Sequence, residues 1–240
     1  MGVESGSEGV GVANAVGIAS DVKIVLRSYL STNHLYAAHF AANDAQDREN
    51  SLAGDENLFD LRHRGYVLTA IVESVAFLEA AINEIYKDAF EGRGSYSEEL
   101  AEDCKNYMAA LWGAAGDRLP VLDKYDLALS FAGKELLAKG EEPYQSARLL
   151  ILVRNYVVHY KPHDRSTDDP HAFEKSLKGK FADNLLMDGS GNPWFPDHAF
   201  GAGCADWSWR AARSFAEEFG RRIDIRLNFQ VADFSENLPL

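Results

Sequence analysis

One stretch of this chain sets three strongly polar residues among apolar ones: Leu149-Leu150-Ile151-Leu152-Val153-Arg154-Asn155-Tyr156-Val157-Val158-His159. Arg154 carries a permanent positive charge. His159 has a ring of the type that exchanges protons near neutral pH. Together they suit proton transfer beside a developing negative charge, with Asn155 placed to orient one or the other.

The element that must position them is a helix running from about Tyr144 to Lys161, opened after the Gly140 to Pro143 break and stopped by Pro162. At 100° per residue its apolar side chains cover every side, so it reads as the central, buried helix. A guanidinium buried there costs several kcal/mol, on the order of known penalties for unpaired ions, unless it is paired. Asn155 and His159 lie about 40° apart around the axis, and Arg154 lies about 140° from His159 and must use its length to join them. His159 also sits in the last turn, where the helix dipole favours an imidazolium by roughly 0.3 to 1 kcal/mol.

A second helix supplies the partner. Leu68, Ile71, Val75, Leu78, Ile82 and Ile85 follow alternating three- and four-residue steps and form one stripe that needs another helix to cover it. Glu79 and Asn83 lie at the edge of that stripe, about 80° and 120° from Ile71, while Glu73 and Glu84 lie on the far side. Glu79 is therefore the expected buried partner of Arg154.

These residues carry a resemblance. Arg154, a polar residue after it, three more residues and then His159, late in an apolar helix, resemble the signature of the HEPN superfamily, a helical-bundle group with many metal-independent ribonucleases. The earlier segment Val72 to Glu84 and the run ILVRNYVVHYKP are similar to that family as well, so the resemblance covers about Asp60 to Lys161. It implies an RNA substrate and a homodimer in which two copies of Arg154 and His159 line one composite cleft. Cleavage there would need a base for the 2′-hydroxyl proton, a cation for the phosphorane and an acid for the leaving oxygen. His159 suits the first or last role, and the Arg154 fork matches phosphate oxygens. The resemblance further implies catalytic roles for Asn155 and Glu79 and an antitoxin protein as a possible partner. Lys161 stands where some toxins of the family carry a modifiable tyrosine, which speaks against that form of regulation. The competing reading is a catalytically silent helical module that binds RNA or a nucleotide, or serves protein interaction.

The remaining pattern is all-α: a helical bundle with a loop-rich insertion before the C-terminal helix. Residues 1–20 read as a mobile tail and 21–240 as one domain with 163–203 as the irregular insertion. Further helices are expected over about 22–42, 97–114, 122–138 and 205–225, with a polar loop over 43–57 capped onward by Asp55 or Asn57.

Composition narrows the classes of function. The 24 Lys and Arg against 37 Asp and Glu leave a formal charge of -13, which argues against a broad basic footprint for nucleic acid or anionic membrane. No apolar run of membrane-spanning length stands out, and two distant cysteines, Cys104 and Cys204, fit a reducing cytoplasm as small buried groups. No phosphate-binding glycine loop, nucleophile elbow or paired-cysteine motif occurs, so no cofactor is expected. His159, His163, Asp164, Asp168, Asp169 and His171 have metal-ligand types, but a solvated loop is the better reading, and His34 with His39 suits no standard helical pair. The four tryptophans are assigned to core and interface.

Overall fold

The stripe of Ile71, Val75, Leu78, Ile82 and Ile85 is fully buried along α2 (Leu61–Glu91), the longest helix in the computed structural model, which describes residues 26–52, 54, 59–116, 118–162, 164 and 170–231. The Asp60 carboxylate accepts from the backbone N–H of His63 at 2.7 Å and starts the helix. Gly92, at φ 62°, ends it, donating its N–H to the Ala89 and Asp88 carbonyls. By length and composition α2 is apolar enough to cross a membrane, which corrects the reading that no such run exists, but it is the helix against which α1, α4, α6 and α8 pack.

Helix α1 (Ser31–Leu52) is displaced from the expected 22–42, and the polar stretch 43–52 is helical rather than looped. Its buried side runs Leu35, Ala38, Ala42, Ala45 and Glu49, so alanine and one carboxylate replace the large apolar residues that would have signalled it. The caps expected at Asp55 or Asn57 lie outside the described residues, as do the tail over 1–20 and residues 232–240. Glu84 of α2 caps the start of α1, accepting from the N–H groups of Leu30 and Ser31 at 2.8 Å each.

The expected helix over 97–114 is two helices, α3 (Ser95–Glu99) and α4 (Glu102–Ala115), and α5 (Val121–Phe131) stops seven residues short of the expected end. Gly133, at φ 64°, turns the chain there. Tyr125 of α5 donates to the Leu78 carbonyl at 2.8 Å and meets Phe215 and Phe219 of α8 (Ala202–Ile223) edge to face. Among the described residues there is no strand, and the architecture is an all-α helical bundle.

Between α6 (Tyr144–Val158) and α8 the chain is irregular, with α7 (Glu174–Leu177) and short turns at Leu185–Met187 and Trp194–His198. Glu49 fastens this segment. Buried with His63, it accepts from His63 Nε2 at 2.7 Å, from Leu185 N at 3.0 Å and from Ala202 N at 2.7 Å. A Cβ on Gly201 would lie 2.5 Å from Asn184 Cα, so glycine is required where the segment turns into α8.

Candidate functional site

Pro143 precedes the first turn of α6, and the helix gives way at His159, whose backbone N–H still donates to the Asn155 carbonyl at 2.9 Å. Ala147, Leu150 and Val153 are completely buried on the inward side of the helix, toward α8 and α2. The opposite side is open: Leu152 is 40% exposed and Val158 51%. Helix α6 is therefore peripheral, and the expectation of a central helix is corrected, because α2 occupies the centre and α6 leaves Leu152 and Val158 exposed. An apolar helix circumference marks burial only when the chain supplies neighbours all round.

Arg154 and Glu79 do meet, with Nη2 3.9 Å from Oε2. That separation is an ion pair and longer than a hydrogen bond. The two side chains are 22% and 44% exposed, so the pair lies at the surface rather than in the core and contributes ~1 kcal/mol or less. Asn155 is half-buried and His159 exposed. Within one chain Arg154 reaches toward Glu79 of α2, while His159 is the exposed C-cap that follows α6.

An aromatic collar braces this end of the helix. Tyr156 packs against His171, Phe173 and Phe195 at ring separations of 5.4, 6.0 and 5.0 Å, so the irregular segment buttresses the turn that bears His159. Tyr160 is 53% exposed because the helix has ended before it.

The other candidates separate. His163, Asp168 and Asp169 lie outside the described residues, and among the described residues no group of three or more His, Cys, Asp or Glu is placed to hold a metal ion. His34 pairs with Glu73 at 2.6 Å, whereas His39 lies against Trp209 with ring centroids 4.6 Å apart. Cys104 and Cys204 are buried, and burial pushes the Cys204 thiol up to about 12. Trp209 is in the core, and Trp112, Trp194 and Trp207 are half-buried.

Two features of this region escaped the sequence. Gln145, Arg148, Leu152, Asn155 and His159 follow steps of three and four and form one outward stripe on α6, in which Arg148 had gone unnoticed. Beside it, a cavity of about 510 Å³ is lined by Arg148 and Leu152 of α6, by Lys139, by Lys180, and by Phe173 and Ser176. Lysines spread over 139–180 showed no common pattern until the fold gathered them.

Comparison with protein-family models, with curated proteins and with solved structures finds no match to this chain.

Proposed function

We propose that this chain is a HEPN-like, metal-independent endoribonuclease that acts at a composite site in a homodimer, in a toxin or defence role in the cytoplasm. The observation that carries the reading is the Arg154-to-His159 motif at the end of an apolar helix whose outward side leaves Leu152, Val158 and the adjoining Tyr160 exposed. A second copy seated there would cover that side and bring a second Arg154 and His159 to the same cleft.

In the proposed reaction His159 takes the proton of a 2′-hydroxyl, and the resulting oxygen attacks the adjacent phosphorus. Arg154 stabilises the dianionic phosphorane through two parallel N–H donors. The 5′-oxygen then leaves with a proton from the opposing His159, giving a 2′,3′-cyclic phosphate and a 5′-hydroxyl. Glu79 holds the guanidinium in place and Asn155 orients the ring or the scissile phosphate.

The test is cleavage of total RNA and of transfer RNA in the presence of EDTA by wild type and His159→Ala, with 3′ ends examined for cyclic phosphate. Intact RNA with the wild type, or equal cleavage by the variant, overturns the proposal. The alternative, a silent module, draws on the separation of Arg154 from His159 within one chain. It expects no cleavage by the wild type and so none for Arg154→Ala or His159→Ala to abolish.

A further inference from the structure

On a chain with formal charge -13, the cavity beside α6 is cationic. Lys139, Arg148 and Lys180 line it, and no carboxylate does among the described residues. Lys139 pairs with Asp126 at 3.0 Å and Lys180 with Glu142 at 2.9 Å, neither carboxylate being in the cavity lining. Arg148 is exposed and has no ion-pair partner among the described residues, which leaves its guanidinium as the unbalanced charge. The larger cavity of about 650 Å³, between the stretch before α1 and α2, differs in having carboxylates in its wall: Glu84 and Glu91 line it, and Arg27, Lys87 and Arg93 all pair with Glu91.

Position gives the cationic cavity its meaning. Arg148 shares the outward stripe of α6 with Asn155 and the His159 cap, and the eleven steps from Arg148 to His159 span about 16 Å at helical rise. Phe173 adds an aromatic ring to the wall, and Gln145 and Ser176 add polar groups. Cations for phosphate, a ring for a base and a track leading to His159 are the components of a single-strand binding groove.

We propose that the cavity of Lys139, Arg148, Lys180 and Phe173 is a phosphate-binding subsite for single-stranded RNA, gripping the strand several nucleotides from the bond presented to His159. The inference rests on the ribonuclease reading for its direction along α6, while the groove itself is tested by binding alone. It reconciles the acidic surface with an RNA ligand, because one local basic track replaces a broad footprint.

Binding is measured by fluorescence anisotropy with a labelled ten-residue 2′-O-methyl oligouridine, which cannot be cleaved by 2′-hydroxyl attack. Arg148→Ala is expected to weaken binding by about tenfold, as loss of one charge-assisted contact implies. It should also reduce the steepness of the log affinity against log salt plot by about 0.7. Arg210→Ala on α8, exposed and outside the cavity lining, removes the same charge elsewhere and should leave both unchanged. Arg148 is exposed, so the variant should keep its fold, which far-ultraviolet circular dichroism checks, and Lys180→Gln provides a second variant. Cleavage provides the other arm: Arg148→Ala should raise KM for a long RNA with kcat unchanged, and leave turnover of a dinucleotide, too short to reach the cavity, unaffected. No binding by the wild type, or equal loss for Arg148→Ala and Arg210→Ala, overturns the subsite. Arg148-dependent binding without cleavage retains the groove and sinks the ribonuclease. Cleavage indifferent to Arg148 does the reverse. Competition by uridine monophosphate at concentrations that match the oligonucleotide would show a free-nucleotide site and overturn the strand reading.

Discussion

At the scale of single residues, Arg154 separates the two functional readings. Its contact with Glu79 is long and partly solvated, so its loss should cost little stability, whereas its loss from a phosphorane-binding site should be severe. Arg154→Ala is expected to lower kcat by about 100- to 1000-fold with the melting temperature almost unchanged. Arg154→Lys should fall between, because charge is kept and the planar fork is lost. Single-turnover cleavage beside a thermal melt checks both, and a variant that melts far below wild type would point to a structural role instead. Glu49 is the opposite kind of residue. Burial opposes its ionisation, but hydrogen bonds from His63, Ala202 and Leu185 outweigh that and hold the carboxyl below its ordinary value of 4.5. Because the folded-state pKa is depressed, the stabilisation is complete above about pH 4.5 and is lost as pH falls through the folded value. Melting temperature should therefore drop on acidification below that point, less steeply in Glu49→Gln. Glu49→Ala should cost ~3 kcal/mol at neutral pH by leaving His63 and two backbone donors buried without their acceptor.

At the scale of elements, the ends of helices explain where expectation and structure part. Asp60 serves both as N-cap of α2 and as ion-pair partner of Arg48, whose Nη2 lies 2.7 Å away, and together these hold its carboxyl down to about 2. Asp60→Ala is expected to destabilise by about 1 kcal/mol or slightly more, and Asp60→Asn by less, since the amide oxygen still caps. Chemical denaturation distinguishes them, and equal losses would mean that the ion pair rather than the cap matters. The stripe on α2 and the four-step pattern of Trp207, Ala211, Phe215 and Phe219 on α8 were legible because apolar side chains recur at helical spacing, although Trp207 is only half-buried. The second half of α1 was not, because its buried positions are Ala42, Ala45 and Glu49, and a polar residue satisfied by partners remote in sequence has no local signature.

At the scale of the whole molecule, the outward side of α6 decides between a self-sufficient chain and half of a site. Leu152 and Val158 are exposed there although both belong to the most apolar run of the sequence. Leu152→Asp with Val158→Asp should convert a dimer to monomer in sedimentation velocity, and should abolish cleavage with the folded helical spectrum retained. A wild type that sediments as monomer at the concentrations at which it cleaves RNA would remove the composite site from the proposal.

The sequence by itself determined the helical class, the core stripe of α2 and the presence of Arg154, Asn155 and His159 on one helix, because periodicity and spacing are properties of consecutive residues. It also brought Glu79 to notice as the carboxylate for Arg154. Only the tertiary structure decided that α6 lies at the edge with one side open, that the Arg154–Glu79 pair is a surface contact, that Glu49 and His63 are buried together, and that Lys139, Arg148 and Lys180 line one cavity. Each of those depends on which neighbours the chain brings from far away in sequence, and burial and electrostatic environment are set by those neighbours rather than by the order of residues along a helix.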